Sequence, residues 1–167
     1  SIYQRVYKLE PGGILRFSEG EIKTWKYWDV KKVYHEALQD LTDYEDAKEE
    51  LKETLKKAVK ARMIADVPLG SFLSGGYDSS LVTAMAQGCS ESPVKTFSIG
   101  FHEEKYNEAK YAKAVADYLG TNHTELYIGE QDMFDMVESI PTYYDEPFAD
   151  SSEIATMMVS KLAREHV

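Results

Sequence analysis

One stretch narrows the possible folds more than any other: PLGSFLSGGYDSSLVTAMA, residues 68–86. The apolar run 67–73 has the length and composition of a short buried strand. It breaks at Ser74-Gly75-Gly76-Tyr77-Asp78-Ser79-Ser80, and residues 79–87 then follow a helical pattern that Gly88 is expected to stop. A strand that turns directly into a helix leaves the first helical N–H groups without intrahelical partners, aimed at whatever lies ahead. Gly75 and Gly76 can adopt positive φ and admit a ligand close to the backbone. Ser74, Ser79 and Ser80 add hydroxyl donors, and the helix dipole adds partial positive charge. The combination suits phosphate oxygens. Asp78 opposes them electrostatically unless a magnesium ion lies between. The segment lacks G-x-x-x-x-G-K-[ST], and it is not the G-x-G-x-x-G dinucleotide fingerprint.

The rest of the chain supports an α/β reading. Residues 94–101 and 123–128 have strand character, and residues 107–119 form a helical pattern halted by Gly120. Helices are also expected over 131–140 and 151–165, the last with Ile154, Met158 and Leu162 on one face. Strands alternating with helices imply an open, mostly parallel, Rossmann-like sheet with flanking helices. Its ligand is expected at the C-terminal ends of the strands, where Leu73 meets Ser74. Upstream, residues 42–64 predict a long helix, with Thr42 and Glu45 as a capping box. Before it, residues 2–9, 14–17 and 21–28 read as a few antiparallel strands, with a hairpin turn at 18–20 and a polar connector after Asp29.

Composition bounds the function classes. A net charge of −10 and the lack of any Lys/Arg cluster argue against a nucleic-acid partner. No stretch approaches the roughly 20 apolar residues that span a bilayer. The lone Cys89 cannot form an internal disulfide, which points to a reducing, cytoplasmic setting. His35, His102, His123 and His166 show no metal-ligand spacing, and His123 reads as structural. Trp25, Tyr27 and Trp28 read as packing of the first strands or as a domain interface.

Ser-Gly-Gly-x-Asp-Ser-Ser resembles the loop of ATP pyrophosphatases (the PP-loop), which cleave ATP between its α and β phosphates. The flanks extend the likeness. DVPLGSFLSGGYDSSLV, KTFSIGF, YNEAKYAKAVADYLGTNHTEL and DEPFADSSEIATMMVSKLARE are similar to segments of the glutamine-hydrolysing asparagine synthetases. SIYQRVYKLEPGGILRFSEG resembles the closing strands of that family's glutaminase domain. The resemblance implies an adenine nucleotide alpha hydrolase-like fold and two parts. Residues 1–38 would be the last strands of a glutaminase-type domain with its linker, and residues 39–167 the first half of the synthetase domain.

It also implies roles. Leu73 and Ile99 would contact the nucleotide base region, and Ser74, Gly75, Gly76, Asp78, Ser79 and Ser80 would hold the phosphates of ATP, with Asp78 on Mg2+. Glu146 and Asp150 stand as candidates for substrate or pyrophosphate, against a turn-and-cap reading around Pro147 and Ser151. The family adenylates the aspartate side-chain carboxylate, and ammonia from glutamine then gives asparagine. The catalytic N-terminal cysteine of the glutaminase domain has no counterpart at Ser1, and the family's second nucleotide loop and catalytic lysine lie beyond this sequence. The chain is therefore expected to be a fragment without synthetase activity of its own. Three alternatives stay open: a related amidotransferase or cyclase acting on another carboxylate, a non-catalytic nucleotide-binding module, and a segment that folds only with its partner half. A homodimer stands open beside a monomer.

Overall fold

The structure is a computed structural model that describes residues 1–36, 43–146, 150 and 152–167. It divides into two compact units, Ser1–Ala47 and Lys48–Val167.

In the first unit, strands β1 (Gly13–Ser18) and β2 (Glu21–Lys26) pair antiparallel, with Ser18 opposite Glu21. Glu19 and Gly20 both have positive φ, 54° and 81°, which matches a two-residue turn to the right-handed twist of the strands. Ile14 faces Trp25, and Phe17 faces Ile22. Residues 2–9, expected as a strand, form none. A turn occupies that stretch, closed by a bond from the Val6 amide to the Tyr3 carbonyl, and Arg5 has a φ of 64°. The polar connector expected after Asp29 is instead helix α1 (Val30–Glu36), which starts where the Asp29 carboxylate accepts the Lys31 amide at 2.9 Å.

Helix α2 (Tyr44–Arg62) begins at Asp43, whose carboxylate accepts the Glu45 amide at 2.8 Å. Thr42, and with it the expected capping box, lies outside the described residues. No described helix is long and apolar enough to cross a membrane.

The second unit is built on a parallel sheet in the order β3 (Gly70–Phe72), β4 (Lys95–Phe101), β5 (Asn122–Ile128). The first strand is shorter than the expected run 67–73, because Asp66 and Val67 bend and Pro68 has no amide to give to a ladder. Helix α3 (Tyr77–Cys89) follows β3, and α4 (Ala109–Leu119) follows β4. Gly120 ends α4 in the left-handed conformation, φ 68°, as its position predicts. Gly88 does not end α3. It lies inside the last turn, and the Ser90 amide closes the helix on the Gln87 carbonyl. The helix expected over 131–140 is two shorter ones, α5 (Glu130–Val137) and α6 (Ile140–Tyr143), with Pro141 taking an early position where its missing amide costs nothing. The last helix is α7 (Glu153–Arg164).

Successive residues of β4 point to opposite faces. On one side Phe97 packs with Leu162 and Ala163 of α7, along with Leu126 and Val159. Burying a side chain such as Phe97 contributes about 1.5–3 kcal/mol. On the other side Gly100 approaches Ala109, and Leu73 packs on Ala112 and Ala116. Alanine at 109, 112 and 116 lets α4 lie close against the sheet.

Candidate functional site

The site is assembled at the C-terminal ends of the strands. Leu73, 1% exposed, extends the pairing of β3 with β4 by donating its amide to the Phe97 carbonyl at 2.9 Å. That bond fixes where the loop begins.

The loop then closes on itself. Ser74 Oγ and Ser79 Oγ lie 2.9 Å apart, and the Ser74 amide donates to Ser79 Oγ at 3.2 Å. The Gly76 amide donates to Ser74 Oγ at 3.3 Å, and Ser79 Oγ also lies 3.3 Å from the Gly76 carbonyl. Gly75 has φ +83°, and a Cβ there would meet the backbone of Tyr111 and Ala112 at 2.6 Å. This glycine is required twice, by conformation and by the close approach of α4. Gly76 is open, since its nearest neighbour to an added Cβ is Ser74 Oγ at 3.4 Å.

Helix α3 opens at Tyr77. Among the described residues the amides of Tyr77, Asp78 and Ser79 have no acceptor. Asp78 is exposed in the first turn, and Ser80 Oγ is buried with no partner among the described residues. Buried polar groups are nearly always paired, so an unpartnered one calls for an explanation such as a bound water or ion.

A cavity of about 370 Å³ lies beside the loop. Leu73, Ser74, Ser79 and Ile99 line it, so four of the residues singled out in the sequence meet in one space. Gly75, Gly76, Asp78 and Ser80 belong to the loop but not to that lining. A second cavity of about 850 Å³ shares Ile99, Phe101, Glu108, Ser152 and Ala155 with it and extends towards α5.

Glu146 and Asp150 line neither cavity. The Asp150 carboxylate accepts the Ser152 hydroxyl at 2.6 Å and the Ser152 amide at 2.8 Å. These bonds, the hydroxyl first, hold its carboxyl below the ordinary carboxylate range. Ser152 lines both cavities, so Asp150 reaches them through its neighbour. Pro147 and Ser151 lie outside the described residues.

The wall supplied by α7 is not among the residues singled out in the sequence. Ser152, Thr156 and Val159 fall at i, i+4 and i+7 and face the smaller cavity, while Glu108 opens α4 above it. The helical spacing was present in the sequence. What was missing was the knowledge that α7 packs across β4 and not beyond β5.

Among the described residues no group of three His, Cys, Asp or Glu side chains gathers to hold a metal ion. A single exposed carboxylate at a phosphate-type loop fits magnesium, which dehydrates reluctantly and is commonly held by one or two carboxylates together with phosphate oxygens.

The asparagine synthase family model matches residues 50–167. The chain is 42% identical, over all of its length, to the glutamine-hydrolyzing putative asparagine synthetase 2 of Methanocaldococcus jannaschii, and covers 32% of that protein. It is 32% identical over 97% of its length to asparagine synthetase 1 of Bacillus subtilis, covering 25% of it. With asparagine synthetase 3 of Arabidopsis thaliana the identity is 34% over 78% of the chain, or 23% of the relative. The chain thus spans about a third or less of each of these relatives, and over residues 50–167 it belongs to the asparagine synthase family.

Proposed function

We propose that this chain supplies the ATP-binding part of an amide-forming ligase. The observation that carries the reading is the loop from Ser74 to Ser80, held in shape by the Ser74–Ser79 hydroxyl pair, with three amides at the start of α3 that have no acceptor among the described residues. Hydrogen bonds to a charged group contribute about 1.5–3 kcal/mol each. A few of them reach the ~8 kcal/mol of a micromolar site.

In this reading Ser74, Gly75, Gly76, Ser79 and Ser80 receive the phosphates, and Leu73 and Ile99 pack against the base. Asp78 would hold the magnesium ion that accompanies ATP, whose role is to neutralise phosphate charge. Asp150, through Ser152, and Glu146 are the candidates on the acceptor or pyrophosphate side.

The relatives' names support asparagine synthesis with glutamine hydrolysis, and the proposed reaction takes aspartate and ATP as its other substrates. The chemistry is then positional. An aspartate side-chain carboxylate oxygen attacks the α-phosphorus, and the bond to the β-phosphate oxygen breaks to release pyrophosphate. Ammonia adds to the activated carbonyl carbon, and AMP leaves with the former carboxylate oxygen. The loop's contribution is to hold the phosphates in line and to stabilise the leaving charge.

The test uses aspartate labelled with 18O in its side-chain carboxylate, incubated with ATP, magnesium, ammonia and the polypeptide that contains this chain. One labelled oxygen is expected in AMP. Formation of ADP, with the label in inorganic phosphate, would sink the adenylate route.

A further inference from the structure

The α4 side of the sheet carries a buried line of polar side chains that the nucleotide reading does not use. Thr96 is 0% exposed and Ser98 3%, and both point to the face covered by α4. Opposite Thr96 on β5 stands His123. Its Nδ1 lies 2.8 Å from Thr96 Oγ1 and its Nε2 lies 3.2 Å from Ser98 Oγ. Thr96 Oγ1 is also 3.0 Å from Thr121 Oγ1, which donates a long bond to the Ala116 carbonyl.

One assignment of donors satisfies this line of groups with a neutral ring. A carbonyl only accepts, so Thr121 gives its hydroxyl proton to Ala116. Thr96 then gives its own to Thr121 and accepts from His123 Nδ1–H, one of the two tautomers the distances allow. The neutral ring keeps Nε2 as an acceptor, which takes the Ser98 hydroxyl proton. Every member is satisfied with His123 neutral.

Thr96 and Ser98 flank Phe97, whose carbonyl receives the Leu73 amide, and Ser98 and Ile99 line the nucleotide cavity. We propose that His123 is a positioning residue for that cavity, clamping the 96–98 segment of β4 so that Leu73 and the loop after it are held in register. The proposal rests on the nucleotide reading only for the identity of the ligand.

Protonation would put a second N–H on the ring at Nε2. The Ser98 hydroxyl would have to turn from donor to acceptor there, and Glu125 Oε1, 3.5 Å away, would compete for the new proton. The groups facing the ring are Glu125 on β5 and Lys113 and Asp117 on α4. Burial opposes the charge most, Lys113 adds to it, and the two carboxylates favour it. The neutral-ring arrangement therefore holds at neutral pH, and in acid the contact at Ser98 is rearranged around a charged ring.

The experiment measures amide hydrogen exchange at Leu73 and magnesium-ATP affinity by calorimetry, in the wild-type chain and in His123→Phe and His123→Asn. Both are followed from about pH 8 to about pH 5, across the ordinary histidine range. In the wild type, Leu73 protection, corrected for intrinsic exchange, and ATP affinity are expected to fall together by about tenfold as the ring is charged. His123→Phe should show the low values at every pH. His123→Asn, which can still donate to Thr96, should recover part of both without the pH dependence. Leu73 protection that is independent of pH in the wild type would overturn the proposal, whether or not His123→Phe folds. Failure of the wild type to bind ATP would sink the nucleotide reading alone, because the Leu73 exchange profile still decides on His123.

Discussion

Ser74 Oγ and Ser79 Oγ meet at 2.9 Å across the turn between β3 and α3, so the loop is closed by its own hydroxyls. Ser79 is the hub, since it also receives the Ser74 amide and sits by the Gly76 carbonyl. Replacing it with alanine removes the hub and leaves the flanking strand and helix in place. Ser79→Ala should cost about 1 kcal/mol of stability, as for an ordinary hydrogen bond, and weaken ATP binding by about tenfold or more. Calorimetry and thermal unfolding of the same preparation check both. Wild-type affinity in the variant would remove Ser79 from the site.

The two loop glycines should respond differently. Gly75→Ala needs a positive φ from a residue with a Cβ, and drives that Cβ into the backbone of Tyr111 and Ala112. Strain of this kind costs about 1–3 kcal/mol, and overpacking adds a similar amount. Gly76→Ala meets open space and an ordinary negative φ of −72°. Chemical denaturation should show a large loss for the first and a small change for the second. Equal stabilities would contradict the close packing of α4 on the loop.

This pair shows what could be read in the sequence. Strand, Gly-Gly turn, acid and helix follow one another in the sequence, so the strand-to-helix turn from Ser74 to Ser80 could be located from residue types. The close approach of α4 to Gly75 could not, because it depends on where Ala112 lies in space. The same limit explains residues 2–9. Their alternation suggested a strand, but a strand needs a pairing partner, and among the described residues β1 pairs only with β2. Gly88 failed as a stop because a glycine ends a helix only where the chain must turn left-handed, and here Ser90 leaves in an extended conformation.

His123 makes the second unit acid-sensitive. Burial lowers its folded pKa from the ordinary 6.5, so the unfolded chain takes up its proton first as pH falls. The stabilisation from the neutral ring is complete above the unfolded value and is lost as pH drops through the window down to the folded value. Unfolding monitored by denaturant at several pH values should show this loss, and His123→Asn should flatten it. A stability that rises on acidification through that window would contradict the buried neutral ring.

Asp150 titrates in the same sense at lower pH. The Ser152 hydroxyl and amide stabilise its charged form, so its folded pKa lies below 3.8. Ser152→Ala removes the hydroxyl and should move the Asp150 titration, followed by NMR of its carboxyl carbon, back towards 3.8. No movement would mean that the hydroxyl bond does not persist in solution.

The measurement that tests the central claim most directly is a calorimetric titration of magnesium-ATP into the folded chain and into Asp78→Ala. Asp78 is exposed, so its loss should leave the thermal unfolding midpoint unchanged. The account predicts binding in the micromolar range for the wild type, about 8 kcal/mol, and loss of its magnesium dependence with at least a tenfold weaker affinity in the variant. Equal affinity in both proteins, or no binding by a wild-type chain shown to be folded, would contradict it.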